Sequence, residues 1–447
     1  MSRKTHSIRP LLAGAFAATL LLSACGATSS SPTSSASPPA KSTSSKTFGT
    51  DATGVVHFWA RSATAATAKL MVKEFNASHK HLKVVLTETA GGEAVTKLAT
   101  AIRAGSPPDL IGLNDIDMPI FSHEGAFTNL TKYVDALPYK KSLSPGHLDL
   151  ATYDGKYYGV PYLADLSVLW YNKKLFAEAH ISSPPSTFAN ILADAKKVQA
   201  LGHGDHGFSF AGDCEGCLAF TMLPDVWATR THLISGSIPH QKATVKSNSA
   251  LEQLLGLYHT IWAEHLYSPG DRTQDGTTWG ANFLKGHIGI FPGDYGGIAA
   301  KLTKAQRSEY ADVPLPGPDG SYSTFDGGDD FAIPTGAKNP SGAWEFVKFV
   351  LSRAQQLQYP STGFTPVRTD LLTSSYKAAH PFDAVALKAL ARGYAPTTLA
   401  YNSIFNQPSG PWFAMFSEAV YQGKIKAALA TGQSGFAQQI SQSGSGS

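Results

Sequence analysis

The chain has 447 residues, 43% of them hydrophobic and 16% charged, with three cysteines and a formal net charge of +4. That length and apolar content provide core for about two to three domains and exclude a disordered chain. Arg3, Lys4 and Arg9 lie before residue 25, where there is no Asp or Glu. The remainder holds 34 basic against 33 acidic residues, a balance that gives no electrostatic basis for binding nucleic acid or an anionic membrane.

Residues 1–9 are basic, and Pro10 to Leu22 then run uncharged through Leu11, Phe16, Leu20 and Leu21 before ending in Leu22-Ser23-Ala24-Cys25. The run is too short to span a bilayer, and with its charged start and small residues it reads as a secretory signal over 1–24. The Leu-Ser-Ala-Cys tetrad resembles the lipobox of bacterial lipoproteins, in which the cysteine is lipidated and becomes the new N-terminus. An ordinary signal with a chance cysteine is the other reading. From Gly26 to Thr50, 20 of 25 residues are Ser, Thr, Pro or Ala, which predicts a flexible tether over 25–50. The folded body then lies outside the cell, anchored by lipid alone, in an oxidising compartment.

Val55 to Trp59 reads as a buried strand. Ala68, Val72 and Phe75 mark a helix, Leu82 to Leu86 a second strand, and Val95, Leu98 and Ile102 a second helix. Leu110 to Leu113 is a third strand. This alternation predicts an α/β fold with a mainly parallel sheet, whose ligands bind beyond the strands' carboxyl ends. That rule alone singles out Arg61, Asn114 and Asp115. Tyr157–Tyr162 and Val168–Tyr171 read as short strands, Leu251 to Tyr258 as an amphipathic helix, and Ile288–Phe291 and Phe331–Ile333 as strands. A helix follows around Ala343 to Leu351, the last helix begins near Pro411-Trp412, and residues from about Gln438 read as loose.

Gly202-His203-Gly204-Asp205-His206-Gly207 matches a dinucleotide-binding pattern but follows a helix, so it reads as a loop. His203 and His206 precede Cys214 and Cys217 at a spacing zinc can use. Outside the cell, a Cys214–Cys217 disulfide is the simpler expectation, with metal or a redox-active pair as alternatives. No nucleophile elbow, P-loop or complete H-E-x-x-H helix is present, and His123-Glu124 only begins the last. A pair of glycosidase carboxylates would carry no motif. Aromatics recur beside carboxylates and Gly-rich turns: Trp59, Trp170-Tyr171, Trp227, Trp279, Asp294-Tyr295, Gly327-Gly328-Asp329 and Trp412. Such groups suit sugars, whose C–H faces lie on rings and whose hydroxyls pair with polar side chains.

Five motif groups occur in order. They are Ala104-Gly105-Ser106-Pro107-Pro108-Asp109; Asp154-Gly155-Lys156-Tyr157-Tyr158-Gly159-Val160-Pro161; Trp170-Tyr171-Asn172-Lys173; Asp330-Phe331-Ala332-Ile333-Pro334 with Ala343-Trp344-Glu345-Phe346; and Thr362-Gly363-Phe364-Thr365-Pro366-Val367-Arg368. Together, over residues 51 to 435, the chain resembles the extracellular solute-binding proteins (family 1) of ABC sugar importers, the carbohydrate-binding branch that includes maltose-binding protein. The resemblance implies a type II periplasmic-binding fold with two interleaved lobes and a hinge. Lobe one is expected at 51–164 and 314–356, lobe two at 165–313 and 357–440, and a loose tail at 441–447. It implies ligand contacts from Arg61, Asn114, Asp115, Asp165, Asp294, Tyr295, Gly328, Asp329, Arg368 and Trp412. A hinge salt bridge is the alternative for Arg368. No catalytic residue, metal or cofactor is expected. The implied function is capture of a sugar, an oligosaccharide above all, by a monomer that delivers it to an ABC permease supplied in trans. An exported carbohydrate-active hydrolase and a binder of a non-sugar solute such as a peptide are the alternatives.

Overall fold

The computed structural model describes residues 48–446. The expected signal, Cys25 and the linker as far as Thr47 lie outside the described residues. Residues 48–50, expected to belong to the tether, are pinned instead. The Phe48 ring stacks on Tyr133 at 4.2 Å, and the Gly49 amide donates to Ser341 Oγ at 2.8 Å.

Eight strands form the main sheet. They are β1 (Gly54–Arg61), β2 (Leu82–Thr89), β3 (Leu110–Asn114), β4 (Val160–Asn172), β5 (His206–Phe208), β6 (Ile288–Asp294), β7 (Tyr310–Val313) and β8 (Asp326–Ala332). Their order is β2-β1-β3-β8-β4-β6-β5, with β7 also paired to β4. β1 is parallel to β2 and β3, with Phe58 opposite Leu86 on one side and Leu110 on the other. β8 runs antiparallel to both β3 and β4, as do β6 and β7 to β4. The sheet is therefore mixed rather than mainly parallel. A strand returning late in the chain enters between β3 and β4 from the opposite end, and no local pattern announces such a return.

β1 alternates, with Val56, Phe58 and Ala60 buried and Val55 exposed, so it is covered on one face only and not buried throughout. The two short strands expected between Tyr157 and Tyr171 are one 13-residue strand, β4. β8 is buried along its whole length although its sequence is Asp-Gly-Gly-Asp-Asp-Phe-Ala. Buried carboxylates are tolerated only when paired or hydrogen-bonded, and neighbouring elements supply the partners.

The helices that matter here are α1 (Ala65–Ser78), α2 (Ala94–Arg103), α3 (Pro145–Leu150), α4 (Glu215–Trp227), α5 (Ser249–Ala263), α6 (Tyr295–Ala299), α7 (Pro340–Val350), α8 (Tyr401–Phe405), α9 (Pro411–Gln422) and α10 (Ile425–Gln442). One core packs β1, β8 and β4 against α1 and α7. In it Tyr162 stacks on Phe331 at 4.1 Å, and Phe58 lies 5.6 Å from both Phe331 and Phe346. A second core joins α4, α5, α9 and α10, with Leu251, Leu254, Leu255 and Tyr258 all turned inward from α5. α9 is not the last helix. α10 follows it, anchored by buried Phe436 and Ile440, and carries the chain into a turn where Ser445 is fully buried. Ser445 Oγ accepts from the Leu399 amide at 2.9 Å, so the expected loose tail is held as far as Gly446. Among the described residues no helix is long and apolar enough to cross a membrane.

Candidate functional site

A cleft of about 490 Å³ opens where several strands end. Arg61 is the last residue of β1, Asn114 the last of β3, and Asp294 the last of β6; Asp115 follows β3 directly. Asp165 lies within β4 opposite Gly327, and Gly328 begins the inner part of β8. All six line the cleft. Convergence of strand ends from separate parts of the sheet is what an open α/β sheet offers a ligand. At Gly328, φ is +137° and a Cβ would stand 2.1 Å from the Leu163 carbonyl oxygen, so only glycine lets β8 lie this close to β4.

Asp329 does not face the cleft. Arg61 Nε donates to its Oδ1 at 2.8 Å, with Nη2 on the same oxygen, and Thr64 Oγ1 donates to its Oδ2 at 2.9 Å. Both oxygens are engaged, and the carboxylate holds Arg61 in place. Burial opposes the Arg61 charge, but Asp329, with smaller help from Asp115 and Asp117, raises its pKa above the usual value. Asp117 Oδ1 in turn accepts from Asn402 of α8 at 2.8 Å.

The carboxyls differ in how they are held. The Asp294 side chain accepts from the Gly297 amide at the start of α6, while burial raises its pKa. Among the described residues the Asp165 side chain has no hydrogen-bond partner; burial first, then the neighbouring Asp294 charge, pushes its pKa up to about 8. Asp115 accepts from the Ile116 amide at 2.8 Å through Oδ1, and its Oδ2 has no hydrogen-bond partner. Burial drives the Asp115 pKa well up, opposed by His147.

His147, on α3, was not anticipated from the sequence. It is fully buried, with Nδ1 2.7 Å from Asp330 Oδ1 and Nε2 3.0 Å from the Gly327 carbonyl oxygen. Both partners are acceptors, so both ring nitrogens donate and the ring is the imidazolium. Burial works against that charge, and Asp326 and Asp330 overcome it, raising the pKa well above the usual value. Asp326 in turn accepts from Ser144 Oγ and, at 3.0 Å, from the Gly146 amide. These partners explain how an acid-rich segment forms a central strand.

Besides Asp329, three expected contacts lie away from the cleft. Trp412 is wholly buried in the second core, 6.1 Å from Phe405, because α10 covers α9; its Nε1 has no hydrogen-bond partner. Arg368 donates to both Asp370 oxygens at 3.0 and 2.7 Å and to the Leu351 carbonyl at 3.0 Å, and lies over the Tyr139 ring. Its donors are engaged within the protein, as in the salt-bridge alternative. Tyr295 points into a different cavity of about 340 Å³ and hydrogen-bonds Asp383. Trp59, Trp170, Trp227 and Trp279 do not line the cleft either.

The cleft's rings are Phe220, Phe325, Phe364 and Tyr401. Phe325 directly precedes Asp326-Gly327-Gly328 of β8 and Phe364 lies in the Thr362-to-Arg368 motif, so both were within reach of sequence reasoning. Tyr401 and Asn406 carry no local signal. Cys214 and Cys217 are joined by a disulfide at the start of α4, beside Gly216 and Phe220 of the cleft. Among the described residues no group of three or more His, Cys, Asp or Glu could hold a metal ion.

Residues 70–384 match the family of bacterial extracellular solute-binding proteins. The chain is 26% identical over 289 residues to a binding protein of Brucella abortus, covering 63% of this chain and 67% of that one. It is 24% identical over 370 residues to the diacetylchitobiose binding protein DasA of Streptomyces coelicolor, covering 80% and 82%. The fold superposes on the sugar-binding protein MalE of Xanthomonas citri with a TM-score of 0.77 at 20% identity, over 87% of this chain and 98% of MalE. That architecture is the two-lobed periplasmic-binding fold. By a family match covering most of its length, the chain belongs to the bacterial extracellular solute-binding proteins, and it is a binding protein rather than an enzyme.

Proposed function

We propose that this protein captures a sugar, an oligosaccharide above all, in the strand-end cleft and delivers it to an ABC permease supplied by other chains. In this reading Cys25 is lipidated and holds the protein, as a monomer, at the outer face of the cell membrane. The observation that carries the proposal is the cleft itself. Arg61, Asn114, Asp115, Asp165 and Asp294 converge there with Phe220, Phe325, Phe364 and Tyr401, polar groups for hydroxyls beside rings for C–H faces. DasA as a diacetylchitobiose binding protein and the Xanthomonas MalE as a sugar-binding protein support the class.

The lobes are 51–164 with 314–356 and 165–313 with 357–440. Two of the segments that cross between the lobes, 163–166 and 359–368, are hydrogen-bonded to each other: the Ala164 amide donates to the Thr365 carbonyl at 3.0 Å, and the Thr365 amide to the Ala164 carbonyl at 2.9 Å. Ligand contacts from both lobes form together only when the lobes close, which couples binding to closure. A micromolar dissociation constant corresponds to about 8 kcal/mol. Ring contacts at about 1 kcal/mol each leave most of it to hydrogen bonds with charged groups, at about 1.5–3 kcal/mol each.

The test is a thermal-shift screen of the purified protein against mono- and oligosaccharides, with chromatography of the sugar afterwards. A sugar at 100 times its dissociation constant adds about 2.7 kcal/mol of stability and is recovered unchanged. A shift with peptides and with no sugar refutes the assignment. Cys25→Ala should move the protein from the membrane to the soluble fraction, and retention on the membrane refutes the anchor.

A further inference from the structure

The cleft carries more negative than positive groups, and this bears on the kind of sugar it takes. Among its described lining residues Arg61 is the only cation, against Asp115, Asp165 and Asp294. Arg61 is already bound by Asp329 behind the wall. Lys301, the next cation to act on Asp294, is exposed and does not line the cleft. Two of the carboxyls are neighbours. Asp294 on β6 pairs with Ser167 on β4, and Asp165 lies two residues along the same face, a diagonal cross-strand position about 7–8 Å away. Among the described residues the Asp165 side chain has no hydrogen-bond partner, and the Oδ2 of buried Asp115 has none either, its nearest cation being His147 Nε2 at 3.8 Å. Buried carboxyls are ordinarily matched by a cation or by donors.

Resting on the sugar-binding reading above, we infer that the cleft is built for a cationic sugar, one whose free amine sits against Asp165 and Asp294. An ammonium supplies donors to both carboxyls at once and balances the Asp294 charge. A phosphate or carboxylate on the ligand would meet the Asp294 charge as a like charge, offer the protonated Asp165 no donor, and be rejected. Before the ligand arrives, Asp165 is faced by Asp294, Arg61 and Asp329, and with a pKa of about 8 it holds its proton at neutral pH. Binding an ammonium therefore expels that proton: the O–H bond of Asp165 breaks, the proton passes to solvent, and the carboxylate accepts from the amine. No comparable proton release accompanies a hydroxyl in the same place.

The experiment is titration calorimetry on the whole protein with matched sugars: glucosamine and glucose, the β-1,4 disaccharide of glucosamine and cellobiose, 2-amino-trehalose and trehalose. In at least one pair the amine should bind about tenfold more tightly than its hydroxyl partner at pH 7.5. Its affinity should rise close to tenfold from pH 6 to pH 7, with a binding enthalpy that depends on the buffer's ionisation. Asp165→Asn should bring the members of that pair level. If hydroxyl sugars bind as well as or better than their amines, the cationic inference falls and the sugar-binding reading stands. If no sugar of either kind binds, both fall. A preference for amines that survives Asp165→Asn overturns the role given to Asp165, whereas the wild-type ratio and proton release judge the inference without any variant.

Discussion

Trp412 separates a ligand platform from a packing residue, and the structure says which measurement will move. Its side chain has no exposed surface, sits in the second core beside Phe405, and leaves Nε1 without a hydrogen-bond partner. Trp412→Ala removes a large ring from a packed site and should cost about 3–5 kcal/mol. For a folded body of this size, at about 2 °C per kcal/mol, that lowers the melting temperature by roughly 6–10 °C. Trp412→Phe is more telling. It loses part of the ring volume, at about 24 cal/mol per Å³ of cavity, but also removes an indole N–H whose unsatisfied burial costs about 1–3 kcal/mol. The two effects nearly cancel, so Trp412→Phe should fall within about 1 kcal/mol of the parent. Urea unfolding followed by far-UV circular dichroism gives the energies, and calorimetric titration with a bound sugar gives the affinity. The reasoning is refuted if Trp412→Ala weakens sugar binding while stability holds, or if the Phe variant is as damaged as the Ala variant.

Four further outcomes are expected. Gly296→Ala should abolish ligand-induced thermal shifts, because a Cβ there would stand 1.6 Å from the Gly363 carbonyl oxygen and force apart two backbones lining the cleft; an unchanged shift would show that they yield freely. Asp329→Ala should destabilise the fold by about 3–5 kcal/mol, since Arg61 would lose its buried counter-charge; a change under 1 kcal/mol in urea unfolding counts against the pairing. The melting temperature should fall as pH rises from 5 to 8.5. Burial lifts Asp271 and Asp383 to about 7 and Asp165 to about 8, and His147 is raised as well. Groups with raised folded-state pKa values stabilise most below their unfolded values and lose that contribution as pH climbs through the folded ones, so a flat or rising profile contradicts these protonation states. Reducing Cys214–Cys217 should cost no more than about 2 kcal/mol, because the loop it closes is so short, and a larger loss by thermal scan would give the disulfide a global role.

The first three strands and two helices were legible because each carries a clear local period: Val56, Phe58 and Ala60 alternate along β1, and Leu98 anchors α2. β8 was legible only at its apolar end. Asp326, Asp329 and Asp330 read as loop until Ser144, Arg61 and His147 come from distant parts of the chain to satisfy them. β4 looked like two strands because Ala164-Asp165 interrupts its apolar run at the point where it borders the cleft. In the site, the strand-end rule alone found Arg61, Asn114 and Asp115, and the family motifs added Asp165, Asp294 and Gly328. The aromatics failed for a tertiary reason. Whether Trp412 faces a ligand or a core depends on α10 lying over it, and nothing within α9 records that. His147 was invisible because a histidine acquires its meaning only from the acids that surround it.

The central place of β8 has a consequence for the making of this protein. Residues 110–114 and 160–172 are synthesised long before 326–332, so the edges that β8 will join stay open until roughly three-quarters of the chain exists. Pairings between segments so far apart in sequence form slowly, and until then the chain stays slack. For a member of an extracellular family this is an advantage of timing. A polypeptide whose middle strand arrives last can still be drawn as a thread through a narrow channel, and it sets into shape on the far side.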